Sequence, residues 1–498
     1  MSPDHSQEDG CWHQRSVVFL CGIFLFRMVY AWVYSFDLSG DEAYYWDWGR
    51  HLAWGYYSKP PLIGWLMALL RIAHLDSGAG IRAASALIGT GTLSLIYLLA
   101  ARLFSPRVGF WALCVTAATI GNVALTICMT TDAPLTLCWC GALYSFWRLS
   151  EKASFRWSVA LMLCWGIGAL AKQMMLVFFP IGLIFLLLSP QKKRLLREPL
   201  LWGAWLGSML FLVPSLWWNS KHDWITFQHT SAHLRGEPFS WVKAFAQMVE
   251  FIGSQLGLAT PVTFVMIVLV FALLFRKWKA LGDRERYLLL FSAPPLLFFL
   301  IFSFHRSINP NWPLVYYLPG MILLAGVCCQ QGKALFCWLR RGIAIGAGLC
   351  VAFYVTMALL PSTGLDLTRI VPLREISGWS AYGAEVGRIQ HQLPHPEKIR
   401  LIVVGHRYHV AALAFYHPDR PVVYQWPSLP GVHCQYDLWL GLPDDGSNAL
   451  VIVAGGSEVP ADLSARFNRL TRLQDLTIPS GGRKPKRYCL YFGTRESK

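Results

Sequence analysis

Charge is what this chain has least of. Of its 498 residues only 14% are Asp, Glu, Lys or Arg, against about 25% in ordinary soluble domains. Cysteine is sparse too: 13 in this length is no disulfide-stapled scaffold. There is no Walker A sequence, no Gly-rich nucleotide fingerprint and no His-Glu-x-x-His pair, which removes three nucleotide- or zinc-dependent readings at the motif level. Disorder is excluded because 55% of the residues are hydrophobic, ample apolar surface to bury. The net charge is nevertheless +16, from 44 basic and 28 acidic residues. A nucleic-acid binder would carry such charge on a hydrophilic chain, whereas the mean hydropathy here is +0.40. What remains is a polytopic membrane protein.

A membrane-crossing helix needs roughly 17 to 25 mostly apolar residues. Eleven such stretches are expected, centred near Phe26, Thr92, Thr116, Cys140, Leu163, Gly182, Leu210, Ile267, Leu296, Leu323 and Gly348. Trp157 to Ser189 is too long for one span and must break near Lys172. Pro61 to Leu75 is apolar but short, and is expected at the interface. The first segment is long, carries Arg27 and Tyr30 and lacks a small-residue cleavage site, so it reads as an anchor and not a cleaved signal. With the N-terminus inside, the loops 102–107, 148–156, 191–199, 276–286 and 331–341 hold 2, 3, 4, 5 and 3 Lys/Arg. The short outer loops 126–132, 171–173 and 304–311 hold 0, 1 and 1. The positive-inside rule then sets the orientation and leaves the C-terminus outside. Two longer outer loops, 36–81 and 218–250, mix aromatics with charge and suit interfacial helices.

After Pro361 the apolar runs stop. Residues 399–404, 422–425, 450–454 and 487–492 read as strands, and 406–416 and 461–470 as helices. The expected organisation is a membrane domain over 1–360 and a small α/β domain outside the membrane over 361–498. Cys434 and Cys489 are the α/β domain's cysteines; a disulfide between them and two separate thiols are both compatible with the sequence.

Ionisable groups at membrane depth or at its edge are expensive and are functional candidates for that reason. The first outer loop contains Asp41, Glu42, Asp47, Arg50 and Lys59; the second ends at Asp132; the third contributes Lys172; the fourth has Lys221, His222 and Asp223; the fifth has His305 and Arg306. Carboxylates and cations from separate loops are expected on one membrane face. A carboxylate there can take a proton from an acceptor hydroxyl, and Lys or Arg can neutralise charge on a phosphate leaving group. The Lys59-Pro60-Pro61 step is stiff and would hold its lysine in place. Inner loops are too short for a cytosolic donor-binding domain, so a donor would be lipid-linked. The spacing of the histidines argues for no metal. A transporter or flippase of lipid-linked sugars is the competing reading. Against it, no internal repeat is visible, and the polar residues sit at the outer edge and not at mid-span.

The segments DEAYYWDWG, LAWGYYSKPPLIGWL, TTDAPLTL, LAKQMMLVFFP, WWNSKHDWITF and NPNWPLVYYLPG, taken as a series over roughly residues 17–330, resemble bacterial membrane glycosyltransferases of the GT-C class. The group is similar to the protein O-mannosyltransferases and the lipid A aminoarabinose transferase. CQYDLWLG, in the C-terminal domain, resembles a segment recurring in the group. The resemblance implies a GT-C fold and inverting transfer of a monosaccharide from a polyprenyl phosphate to a lipid, glycan or protein hydroxyl on the periplasmic face of the bacterial inner membrane. It implies Asp41 as catalytic base, with Glu42 and Asp132 in the catalytic set. Lys59, and Arg306 by a looser match, would hold the donor phosphate. Tyr44, Tyr45, His222, Asp223 and His305 are further candidate substrate contacts. The lipid-linked donor, the acceptor and the membrane are the expected partners, with no nucleic acid and no metal assigned. The chain departs from the aminoarabinose transferases at Tyr44, where they have Arg, and at Ser58, where they have an acidic residue. These changes remove one phosphate contact and any support for a metal at Ser58.

Overall fold

The computed structural model describes residues 3–34, 36–234, 240–363, 376–427, 431–439, 441–456, 458–480 and 485–495. The chain divides into two compact units. The first comprises residues 1–33, 59–62 and 82–354; the second comprises 34–58, 63–81 and 355–498. The loop 36–81 therefore belongs mostly to the same unit as the C-terminal α/β domain.

The first unit is helical. Each of the eleven expected span centres falls within a helix, from Pro3–Val33 around Phe26 to Lys333–Thr363 around Gly348. Among the described residues, five helices are long and apolar enough to cross a membrane, or up to seven if each bent pair counts once. The shorter apolar helices include Phe155–Ala171 and Leu314–Gln330. The break expected near Lys172 is present: one helix ends at Ala171 and a 3-10 turn starts at Gln173.

Two helices are broken in ways their residues explain. Pro106–Ala117 and Ile120–Ile127 meet at 72°, where Thr119 restarts the helix by accepting the Asn122 backbone N–H, as an N-cap does. Trp241–Ala259 and Pro261–Arg276 meet at 107°. There Thr260 has φ +64°, and Pro261 has no N–H to continue the ladder. The core of this unit is dense in rings, with Trp139, Phe146, Phe178, Phe185, Tyr287 and Phe291 buried together. The Tyr287 hydroxyl donates to the Leu143 carbonyl at 2.8 Å, so its polar end is satisfied as burial requires.

The second unit is built on a five-stranded mixed sheet in the order β2-β1-β3-β5-β4. The strands are β1 (Arg400–Val404), β2 (Val423–Trp426), β3 (Ala449–Ala454), β4 (Arg469–Ile478) and β5 (Lys486–Thr494). β1 pairs in parallel with β2 and β3, and β5 pairs antiparallel with β3 and β4. The two central runs, LIVV and ALVIV, are buried almost throughout, as strands covered on both faces must be. The helix Arg407–Tyr416 makes the crossover from β1 to β2. Trp379–His391 adds a helix that was not expected from the sequence.

One expectation is corrected. The helix read over 461–470 lasts only for Ala461–Ser464, and the strand β4 begins at Arg469. β4 is an edge strand with most of its residues exposed, so it lacks the apolar alternation by which a half-buried strand announces itself. The cysteines of this domain are separate thiols. Cys434 donates to Gln425 Oε1 at 2.9 Å, and burial pushes its pKa up to about 12.

Candidate active site

The loop 36–81 contains the helix Gly40–Trp48, and a capping box starts it. Ser39 Oγ accepts the Glu42 backbone N–H at 3.3 Å, and Glu42 Oε2 accepts the Ser39 N–H at 3.0 Å. Two orphan amides are thereby satisfied reciprocally. Glu42 is fully buried, and this bond engages its carboxylate with its own helix end. Its neighbour Asp41 points elsewhere: its side chain is 43% exposed. Asp41 Oδ1 accepts the Tyr408 hydroxyl at 3.0 Å, and Arg407 Nη2 lies 3.7 Å from the same oxygen. Both partners stand at the start of the helix that follows β1, more than 360 residues downstream.

Tyr44 and Tyr45, expected as substrate contacts, are both buried in this structure. Tyr44 is 2% exposed; its hydroxyl accepts the Gln435 N–H at 2.5 Å, and its ring lies edge-on to Trp48 at 4.9 Å. Tyr45 also packs edge-on against Trp48, at 5.0 Å. Further along the helix Asp47 is buried; it accepts the Tyr436 hydroxyl at 2.8 Å and pairs with Arg50 at 3.3 Å. Burial pushes the Asp47 carboxyl up, and the Arg50 charge opposes that shift.

In the first unit Asp132 opens the helix Asp132–Glu151. Its Oδ1 takes Lys172 Nζ at 2.7 Å, and its Oδ2 takes Asn311 Nδ2 at 2.8 Å. Lys172 and Asp132 are 7% and 5% exposed. Both carboxylate oxygens are occupied by donors, which makes Asp132 a junction of three loops. Lys59 is half-buried between Ser58 and the buried Pro60. Arg306 is also half-buried, and its Nη1 donates to the Ala232 carbonyl at 3.3 Å. His305 is exposed. His222 stacks on Trp218 with ring centroids 3.9 Å apart, and its Nδ1 lies 2.8 Å from the Trp218 carbonyl. Asp223 is exposed in a turn with φ +52°. No group of three or more His, Cys, Asp or Glu that could hold a metal ion occurs among the described residues.

Thus Asp41 meets Arg407 and Tyr408 in the second unit, and Asp132 meets Lys172 and Asn311 in the first. Arg407, Tyr408 and Asn311 were not expected from the sequence as members of these clusters. A signal for the first two was present. They follow a buried apolar strand and open a helix, and the carboxyl ends of parallel strands are where α/β sheets place functional groups.

Residues 58–218 match the family model described as dolichyl-phosphate-mannose-protein mannosyltransferase. A curated relative, the lipid A galacturonosyltransferase RgtD of Rhizobium johnstonii, is 29% identical over 321 residues; the match covers 62% of this chain and 64% of that protein's length. The crystal structure of ArnT from Cupriavidus metallidurans in the apo state superposes with a TM-score of 0.62 at 18% identity, covering 95% of this chain and 97% of that one. The same protein bound to undecaprenyl phosphate gives 0.60 at 17% identity, with the same coverage. The chain is a multi-pass membrane protein with the fold of the GT-C glycosyltransferases and a small mixed-sheet domain near its C-terminal end.

Proposed function

We propose that this chain is an inverting glycosyltransferase, moving a monosaccharide from a polyprenyl phosphate to an acceptor hydroxyl. The observation that carries the reading is Asp41: a part-exposed carboxylate with one oxygen held by Tyr408, set in a fold shared with a protein whose structure contains undecaprenyl phosphate. In the proposed step the acceptor hydroxyl gives its proton to Asp41 as its oxygen bonds to the anomeric carbon. The bond from that carbon to the phosphate oxygen breaks on the opposite face. The electron pair leaves with the lipid phosphate, whose charge Lys59 and Arg306 neutralise. Lipid A and a uronosyl donor are the pair to try first, by likeness to the Rhizobium relative.

The proposed setting follows from the basic inner loops. The protein would lie in the bacterial inner membrane with its N-terminus in the cytoplasm, and 361–498 would form a periplasmic domain behind a membrane domain over 1–360. The test is Asp41→Asn, purified in detergent and supplied with a polyprenyl-phosphate galacturonate and lipid A. Loss of the glycosylated product by mass spectrometry, with elution and melting point unchanged, is expected. Turnover at the normal rate in that variant would remove Asp41 from the role of base.

A further inference from the structure

We propose that Arg407 and Tyr408 are positioning residues for Asp41, so that the α/β domain forms part of the proton-accepting apparatus. The proposal rests on the reading of Asp41 as the base.

Three observations carry it. The first is the donor set. Tyr408 donates to Asp41 Oδ1 at 3.0 Å, Arg407 Nη2 stands 3.7 Å from that oxygen, and the same Nη2 makes a long contact of 3.4 Å to the Tyr408 hydroxyl. Both donors load one carboxylate oxygen. The other, Oδ2, makes no hydrogen bond among the described residues, on a side chain 43% exposed. A carboxylate fixed by one oxygen and open at the other has a defined direction for accepting a proton, which is what general-base geometry needs.

The second observation is that the tyrosine is clamped. A Cβ built on Gly40, the residue before Asp41, would lie 2.2 Å from the Tyr408 ring. Only glycine lets the ring come this close to the helix backbone. His406 packs edge-on with the same ring, with centroids 4.4 Å apart. Its Nδ1 accepts the Tyr408 backbone N–H at 3.4 Å as the N-cap of the helix.

The third is the arginine's surroundings. Its guanidinium carbon lies 5.4 Å from the Tyr44 ring and 4.9 Å from the Tyr408 ring, and its buried Nε makes no hydrogen bond among the described residues. The cation is held by two π faces and directed by Nη2 toward Asp41. Arg407 thus keeps a negative charge in place without engaging the carboxylate bidentately, which would block it.

The experiment uses the full-length protein in detergent, with kcat and KM measured for donor and acceptor. Tyr408→Phe keeps the ring against Gly40 and removes only the hydroxyl. We expect kcat to fall about 10- to 100-fold, the scale of a misplaced catalytic group, with both KM values unchanged. Arg407→Gln should lower kcat, and Arg407→Lys, which retains the charge, should recover most of it. If Tyr408→Phe lowers the melting point, the Arg407 pair decides. Inactive Asp41→Asn beside fully active Tyr408→Phe and Arg407→Gln would overturn the positioning role and leave the base assignment standing. A fall in kcat matched by a rise in KM would also overturn it. Active Asp41→Asn would instead fail the reading on which the proposal rests.

Discussion

Asp132 and Lys172, 40 residues apart in sequence, form a buried ion pair at 2.7 Å. The aspartate begins one helix, and the lysine sits at the break between two others. Asn311, in the loop before Leu314–Gln330, takes the second carboxylate oxygen. Taking both charges out of water is costly, and the pair persists because each oxygen finds a donor.

Lys172→Met should therefore be severely destabilising. It leaves an uncompensated buried carboxylate, which costs about 3 to 5 kcal/mol. The double variant Asp132→Asn with Lys172→Met removes both charges and should melt closer to the native protein than Lys172→Met alone. Thermal unfolding of the purified variants in detergent measures both. Equal melting points for the single and double variants would show that charge burial is not the cause.

Tyr436→Phe should cost about 1 to 3 kcal/mol at neutral pH, the scale of an unsatisfied buried polar group. Asp47 loses the hydroxyl it accepts at 2.8 Å and keeps Arg50 at 3.3 Å. Burial already pushes the Asp47 carboxyl up, and losing a donor to the ionised form pushes it further. The gap between variant and native protein should narrow as the pH is lowered and Asp47 takes up its proton, because the lost donor served the ionised form. Melting curves at pH 7 and pH 4 test the sign.

Acidification should weaken the second unit through His406 and His417. Burial lowers both pKa values below the ordinary 6.5. Each Nδ1 accepts a backbone N–H, from Tyr408 and Asp419 respectively, and protonation would abolish that acceptor. The unfolded chain takes up protons below about pH 6.5 that the folded chain refuses, so stability falls as pH drops through that value. A tenfold difference in proton affinity between the two states is worth about 1.4 kcal/mol. His406→Asn with His417→Gln should show a smaller loss of melting temperature between pH 7.5 and pH 5.5. Asn at position 406 preserves a good N-cap.

Much of the helical architecture was legible because a membrane imposes length and apolarity on each span, and those properties are local. Every expected centre lies in a helix, and the break at Lys172 follows from simple length. Ser39-x-x-Glu42 has capping-box spacing, but in the sequence Glu42 reads beside Asp41 as a site acid, and its capping role is a finding of the structure. Strand β4 was not, because an exposed edge strand carries no burial pattern. The position of Arg407 and Tyr408 after a buried strand was a signal, but their pairing with Asp41 was not: Tyr408 lies 367 residues away, and its motif alone does not name a partner.

The sequence by itself determined that this is a multi-spanning chain with a small α/β domain toward its C-terminal end, because hydropathy acts through the solvent each segment requires. Only the tertiary structure decided what each acidic residue does. Neighbours in sequence on one helix face different surroundings. So Glu42 turns into its own cap, Asp41 meets Tyr408 and Arg407, and Asp47 is buried against Tyr436. The partners of Asp41 and Asp47 come from chain segments hundreds of residues away, and folding alone brings them together.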